Sequence, residues 1–242
     1  MIIYFSGTGN SEYVAKALLQ EGERIIDVMK EKESVLSDER IGIVFPEYCS
    51  AMPPYLIEYL QNATIKANYI FCVGTCGANA KGGISGLQYI LQSKGKRLSY
   101  GKKIVMPDSC VLLAFPPKTV KKLLTKQDEK IAKIKQEIEQ RTVMEIRAKK
   151  PLTFKSKAVW WAFNNVVGIK RKKVIKDKCV NCSLCEKACK MNNIKVTEKG
   201  IVIGKNCAQC FACINVCQNN AIKFGLLKAK DEKRYMHPNR EI

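Results

Sequence analysis

Eight closely spaced cysteines constrain this chain more than any other feature. They form two copies of the pattern C-x2-C-x2-C-x3-C, 28 residues apart, and each copy is followed by an Asn-rich turn and an apolar segment. Thiols at every third residue curl the backbone around one face of an iron–sulfur cubane and leave backbone amides free to bond its sulfides. The positions are Cys179, Cys182, Cys185 and Cys189 in the first copy, and Cys207, Cys210, Cys213 and Cys217 in the second.

A pair of zinc sites is the alternative use of these thiols. Zinc modules usually present two separated C-x2-C pairs, because tetrahedral closure takes ligands from two loops. The duplicated run of four cysteines therefore favours two [4Fe–4S] clusters. Proline follows the fourth cysteine in the bacterial iron–sulfur pattern, whereas Lys190 and Gln218 follow it here. Proline supplies no ligand, so its replacement bears on the turn and on the cluster potential, not on cluster binding.

The first 150 residues alternate apolar strand-like runs with helical crossovers, which is typical of a parallel sheet covered by helices. The runs are MIIYF, RIIDV, IGIVF, YIFCVG and KKIVM. They predict an α/β fold with a doubly wound, five-stranded parallel sheet. The spacing of Leu124, Ile131, Ile134 and Ile138 further predicts one long helix over residues 119–149 that closes this domain.

The segment FSGTGNS, residues 5–11, lies between the first predicted strand and the first predicted helix. A nucleotide triphosphatase loop would need a lysine after its second glycine, and a dinucleotide loop would need a third glycine, so both match poorly. A Ser/Thr-rich turn of the type [ST]-x-T-G-x-[ST] matches better. Hydroxyls, amides and a helix N-terminus can bind a phosphate dianion without a cationic side chain. The candidate phosphate-binding residues are Ser6, Thr8, Gly9, Asn10 and Ser11.

Residues 1–150 resemble a short flavodoxin, and residues 175–225 resemble a bacterial two-cluster ferredoxin. The whole arrangement is similar to a family of flavodoxin–ferredoxin fusion proteins, through FSGTGNS, the FPEYCSAMPP loop and the RYMHPN tail. We therefore expect a flavodoxin-like FMN-binding domain at 1–150, an interdomain linker at 151–174, and a ferredoxin domain with a basic tail at 175–242.

The resemblance also implies the ligands of each cofactor. In two-cluster ferredoxins the fourth cysteine of each motif binds the other cluster. One [4Fe–4S] cluster would then use Cys179, Cys182, Cys185 and Cys217, and the other would use Cys207, Cys210, Cys213 and Cys189.

The FMN ring would lie between two loops at the carboxyl ends of strands, where such folds bind ligands. Tyr48 is the candidate to stack on the ring, although it could be an ordinary aromatic at a strand end. The second loop lacks an aromatic residue, which leaves one ring face open. Cys49 and Cys76 are expected to be small apolar loop residues. The ring-loop candidates are Pro46, Glu47, Tyr48 and Cys49, then Thr75, Cys76, Gly77, Ala78 and Asn79.

The chain carries a formal net charge of +20, concentrated in residues 151–242, which hold 19 Lys and Arg against 6 Asp and Glu. This half is expected to attract an acidic redox protein, such as a ferredoxin, a flavodoxin or an oxidoreductase, through a patch at residues 170–173. The positive charge is the only feature that supports nucleic-acid binding, so no nucleic-acid partner is expected. Trp160 and Trp161 between lysines fit an interfacial helix, but so short a segment is a weak anchor, and packing between the domains is expected instead.

These observations predict an electron-transfer flavoprotein that passes electrons between its clusters and FMN and exchanges them with external redox proteins. No NAD(P)H-binding domain and no long apolar segment is visible in the sequence, so a protein electron source and a cytoplasmic location are expected. The alternative is an FMN-dependent reductase of a small organic substrate, fed through its own clusters. His237, the only histidine, is expected to be a local hydrogen-bonding group.

Overall fold

A computed structural model describes residues 1–31, 33–77, 82–111, 113–151, 157–158, 161–162, 165–166, 172–224 and 234–240. The predicted ring-loop residues Ala78 and Asn79, and Trp160 with most of the predicted linker at 151–174, lie outside these residues. Among the helices of the described part, none combines the length and the apolar character needed to cross a bilayer.

Parallel strands build the N-terminal sheet. They are β1 (Ile2–Tyr4), β2 (Ile25–Asp27), β4 (Arg40–Pro46), β6 (Tyr69–Cys76) and β7 (Tyr100–Val105). A short parallel pair, β3 (Val35–Ser37) and β5 (Thr64–Lys66), lies apart from this sheet. The sheet order is β2-β1-β4-β6-β7, with every pairing parallel. This is the flavodoxin-like doubly wound order, so the predicted fold class and its five strands are confirmed.

Helices cover both faces of the sheet, which is why its strands are apolar on both sides. The helices are α1 (Asn10–Leu18), α2 (Pro54–Asn62), α3 (Gly82–Gln92), α4 (Pro117–Thr125) and α5 (Gln127–Glu139). On one face, Val14 of α1 and the apolar residues of α5 bury against the sheet. On the other face, Leu56 of α2 and Leu87 of α3 do the same. The carboxyl ends of the strands are left for loops.

The long helix predicted over residues 119–149 is wrong. The helix is interrupted at Lys126, and α5 ends before Arg141, whose φ of 53° lies in the left-handed region. The chain then returns along the sheet, where the Met144 amide donates to the Ser99 carbonyl at 2.7 Å. Leu124 is only half-buried, while the isoleucines of α5 are buried. Apolar spacing continued across the break and therefore did not reveal it.

The cysteine-rich half is built from two repeats that exchange strands. The first repeat contains β8 (Lys172–Val174), α6 (Leu184–Lys187) and β9 (Ile194–Thr197), and the second contains β10 (Gly200–Ile203), α7 (Ala212–Val216) and β11 (Ile222–Phe224). The strand β8 pairs antiparallel with β11, and β9 pairs antiparallel with β10. The repeats are thus related as the 28-residue sequence period indicates, and a small core that includes Ile194, Ile214 and Ile222 lies between them.

Candidate functional site

The segment FSGTGNS forms a buried loop that enters α1. Gly9 has a φ of +101°, a left-handed conformation that favours glycine, and its amide donates to Ser6 Oγ at 3.2 Å. The hydroxyls of Ser11 and Thr75 lie 2.8 Å apart. Ser6, Thr8 and Ser11 are all buried. Since the first amides of a helix have no intrahelical partner, the loop and the start of α1 present hydroxyls and N–H groups suited to an anion.

The predicted phosphate and ring loops surround one cleft of about 890 Å³, its open mouth included. Gly9 supports the loop without lining the cleft. The predicted residues that line it are Ser6, Thr8, Asn10, Ser11, Pro46, Glu47, Tyr48, Cys49, Thr75, Cys76 and Gly77.

A further loop, which the sequence reasoning missed, contributes to the same cleft. It follows β7 and includes Asp108 and Cys110. Its position at the carboxyl end of the fifth strand is the signal that could have found it. Gln209 and Phe211 of the second cysteine motif also line the cleft. Their place depends on how the two halves of the chain pack, which no local pattern predicts.

Two carboxyl groups of the cleft have pKa values above their usual range. Burial raises the pKa of Asp108, although the Cys110 amide donates to Oδ1 at 2.8 Å and partly offsets it. Burial likewise raises the pKa of Glu47, against a hydrogen bond from the Gly83 amide at 3.3 Å. Within the described part of the chain, Glu47 Oε1 is buried without a hydrogen-bond partner. The cleft therefore contains a carboxyl proton source as well as an anion-binding loop.

Tyr48 lies between the cleft and the cysteine motifs. Its ring packs edge-on against Phe5, with centroids 6.2 Å apart. Burial raises the pKa of Tyr48 well above its usual value, and the thiols of Cys210 and Cys207 and the carboxyl of Asp108 raise it further. The phenol thus remains neutral and within electrostatic reach of both the cleft and the second cysteine motif.

Four thiols from both motifs line a second, smaller cavity, which we call the proximal cavity; they belong to Cys189, Cys207, Cys210 and Cys213. Backbone amides already point at two of these sulfurs. The Asn193 amide donates to Cys189 Sγ and the Gln209 amide donates to Cys207 Sγ, each at 3.3 Å. Lys172 also lines the proximal cavity and donates from Nζ to Cys207 Sγ at 2.8 Å.

The remaining motif cysteines form the distal set, which is Cys179, Cys182, Cys185 and Cys217. The pKa of Cys185 is raised by burial and further by the nearby thiols of Cys217 and Cys179. The Ala221 amide donates to Cys217 Sγ at 3.2 Å, and Cys182 is exposed. The cysteine that ends each motif therefore lies with the thiols of the other motif.

In the described part of the chain, no three Cys, His or acidic side chains converge as a single metal ion would require. A four-iron cluster binds each of its thiolates through a different iron atom. Its ligands therefore do not need to meet at one point.

The second cysteine motif packs directly against the phosphate loop. A Cβ added to Gly7 would lie 2.5 Å from Cys210 Cβ and 3.2 Å from the Tyr48 hydroxyl, so only glycine permits this approach. Close by, Lys190 Nζ lies 2.8 Å from Asp27 Oδ2 at the end of β2. Lys190, which stands in place of the usual proline, thus joins the cysteine-rich half to the sheet.

Residues 234–240, here called the C-terminal strap, close over the phosphate loop. The Tyr235 hydroxyl donates to Asn10 Oδ1 at 2.7 Å, and the His237 amide donates to the Thr8 carbonyl at 2.8 Å. The His237 ring stacks on Tyr13, with centroids 4.3 Å apart. The strap therefore fixes the same loop that the cysteine motif contacts.

The His237 ring is a neutral hydrogen-bonding group. Its Nε2 lies 3.2 Å from Gln127 Oε1, and its Nδ1 accepts from the Asn239 amide at 3.2 Å. This pattern fits a tautomer with the proton on Nε2. Burial lowers the pKa of His237 to about 4, so the ring carries no charge near neutral pH.

No protein-family model matches the sequence, and no characterised protein matches it either. Among solved structures, an azoreductase from Bacillus anthracis str. Sterne is similar with a TM-score of 0.37 and 12% identity, over 56% of this chain and 98% of that chain. An FMN-dependent NADH-azoreductase from Bacillus anthracis str. Ames Ancestor, in complex with FMN, has a TM-score of 0.33 and 11% identity, over 55% and 97%. These likenesses are too distant to assign an activity, and the fold class rests on the strand order.

Proposed function

We propose that the chain is an electron-transfer flavoprotein, with FMN in the cleft and one [4Fe–4S] cluster on each set of four cysteines. Electrons would pass between the clusters and FMN within one chain and be exchanged with external redox proteins. The observation that carries this proposal is the contact between Gly7 of the phosphate loop and Cys210 of the proximal cavity. A cluster ligand in contact with the phosphate loop of the cleft makes the two sites neighbours.

The phosphate loop fits a phosphate monoester. Ser6, Thr8 and Ser11 supply buried hydroxyls, and the start of α1 supplies amides and the positive end of a helix dipole. Pro46 and Tyr48 line one side of the cleft and Phe211 another, so apolar surface is present for an aromatic ring system. When bound, FMN and the clusters would supply the one-electron and two-electron steps, and the chain's residues hold them close together.

The two cysteine sets fit one cluster each, proximal and distal to the cleft. Exposed Cys182 and the 67% exposed Val180 lie at the distal set, which makes that set the natural place for electrons to enter or leave the chain. Lys173, Lys176 and Lys178 are exposed near it. An acidic redox protein is therefore the proposed partner, and a cytoplasmic location is proposed because cysteines stay reduced in that compartment.

The structure changes which lysines of the patch expected at residues 170–173 can attract a partner. Lys172 turns inward to Cys207, while residues 170 and 171 lie outside the described part of the chain. The steering charge is therefore assigned to Lys173 and the exposed lysines near the distal set. Its effect should be on association rate and should weaken with salt, as the screening length falls to about 3 Å at 1 M.

Anaerobic rapid-mixing spectroscopy tests the proposal. When an acidic ferredoxin reduces the holoprotein, cluster bleaching should precede flavin bleaching, because the distal set includes the exposed Cys182. In Thr8→Ala/Ser11→Ala, two phosphate contacts are lost, which costs about 3–6 kcal/mol of FMN binding. That variant should retain its clusters and lose FMN. Simultaneous loss of both cofactors, or unchanged flavin content, would contradict the assignment of the loop.

The second candidate is an FMN-dependent reductase of a small organic substrate. Asp108 favours it, because a buried carboxyl with a raised pKa lies in the same cleft and could supply a proton. Asp108→Asn separates the two functions. It should leave electron exchange with protein carriers unchanged if the chain is a shuttle, whereas turnover of a small-molecule acceptor should fall about 100-fold or more if Asp108 is the acid.

A further inference from the structure

Lys172 is the one cation among the described residues that line the proximal cavity and contact a thiol there. Its Nζ donates to Cys207 Sγ at 2.8 Å. The side chain leaves β8, which belongs to the first repeat, and reaches a cysteine of the second repeat because β8 pairs with β11. The contact is therefore fixed by the exchange of strands between the repeats.

The 28-residue period provides no second lysine at the corresponding position of the distal set. With the 28-residue period, the position that corresponds to Lys172 is Gly200, at the start of β10. Gly200 has a φ of +109° and open space where a Cβ would be, so no side chain from this position reaches the distal thiols. The Lys172 contact therefore has no counterpart at the same position of the repeat, although the Arg234 guanidinium donates to the Cys217 carbonyl at the distal set.

We propose that Lys172 raises the reduction potential of the proximal cluster. This inference rests on the proposed function, because it concerns clusters bound at the two sets. Adding an electron to a cluster adds one negative charge, and a nearby ammonium stabilises the charged product more than the reactant. The Lys172 charge would thereby favour an electron at the proximal set, which packs beside the cleft.

Lys190 is not expected to have a comparable effect on the potential of the proximal cluster. Lys190 also lines the proximal cavity, but its ammonium is paired with the Asp27 carboxylate. A carboxylate thus partly offsets the Lys190 charge, whereas Lys172 donates directly to a cysteine of the proximal set. Lys172 is therefore assigned as a positioning residue, whose charge acts on the cluster through its contact with Cys207.

Potentiometric titration followed by electron paramagnetic resonance tests the inference in the holoprotein. Lys172→Met should lower one cluster potential by an amount equal to at least a tenfold change in its reduction equilibrium, which is 59 mV for one electron. The other cluster potential should stay close to its wild-type value. Lys173→Met is the matched control, since it removes the same charge from an exposed neighbour in β8. Lys172→Arg keeps the charge and should restore most of the potential.

Each alternative result overturns the inference. Unchanged potentials in Lys172→Met with both clusters present would show that the charge does not act on the cluster. Equal shifts in Lys172→Met and Lys173→Met would show a general effect of net charge. Lys172→Gln retains a hydrogen-bond donor without the charge. If Lys172→Met and Lys172→Gln both lose the proximal cluster, Lys172 is required for folding of the site and not for its potential. Absence of labile sulfide in the wild type would instead overturn the proposed function itself.

Discussion

The Lys190–Asp27 ion pair is predicted to hold the cysteine-rich half against the sheet. The side chains are 12% and 5% exposed, and Nζ lies 2.8 Å from Oδ2. Removing one partner of a buried pair costs about 3–5 kcal/mol, mostly because the other charge is left unpaired. Asp27 Oδ1 still accepts from the Met29 amide at 3.0 Å, so Lys190→Met should cost about 3 kcal/mol of docking free energy.

Hydrogen exchange of the anaerobic holoprotein measures this cost. The reporter is the His237 amide, which donates across the interface to the Thr8 carbonyl. Since 1.4 kcal/mol is a factor of ten, a loss of about 3 kcal/mol should speed its exchange about 100-fold. Gln218→Met is the matched control, because Gln218 occupies the same position after the other motif and is exposed.

A double-mutant cycle isolates the ion pair. Asp27→Asn should also speed exchange, and the two substitutions together should cost clearly less than their sum, because each removes the same interaction. Additive effects, or equal exchange in Lys190→Met and Gln218→Met, would refute the assignment of Lys190 to interdomain docking. The lysine would then be a neutral replacement of proline in a turn.

Three further predictions concern the ligands, the interface and the strap. Cys189→Ser should damage the cluster on the second motif while Cys182→Ser damages the other, and iron quantified with cluster spectra should show one cluster retained in each variant. Gly7→Ala should slow cluster-to-flavin transfer at unchanged iron content, because the added methyl would lie 2.5 Å from Cys210 Cβ; an unchanged rate would contradict the close contact. His237 has a folded pKa of about 4 against an ordinary value of 6.5, so its contribution is complete above pH 6.5 and declines as pH falls toward 4. Between pH 7.5 and pH 5.5 the free energy of unfolding of the wild type should fall by about 1.4 kcal/mol more than that of His237→Gln. Urea midpoints that change equally with pH in the two proteins would contradict this.

Local patterns in the sequence predicted the sheet and the spacing of the thiols. Strands buried on both faces are apolar along their length, and ligands from one short loop have a fixed cysteine spacing. Both features are therefore visible in the local sequence. Of the missed features, the Asp108 loop could have been found from its place after the fifth strand, whereas Phe211 and Lys172 depend on packing between distant segments. Asp108 lies in the cleft because the fifth strand ends there, Phe211 because the second motif packs on the phosphate loop, and Lys172 contacts Cys207 because two strands are exchanged. The break at Lys126 was missed because apolar spacing does not depend on whether a helix is continuous.

Quantitative analysis of iron, acid-labile sulfide and flavin in anaerobically purified protein tests the proposed cofactors most directly. Two cubanes and one FMN predict about eight iron, about eight sulfide and one FMN per chain. The flavin should be released as the monophosphate, since the loop at residues 5–11 is suited to a phosphate monoester. Zinc without labile sulfide, or a flavin-free protein with intact clusters, would contradict an electron-transfer path between the cysteine motifs and the cleft.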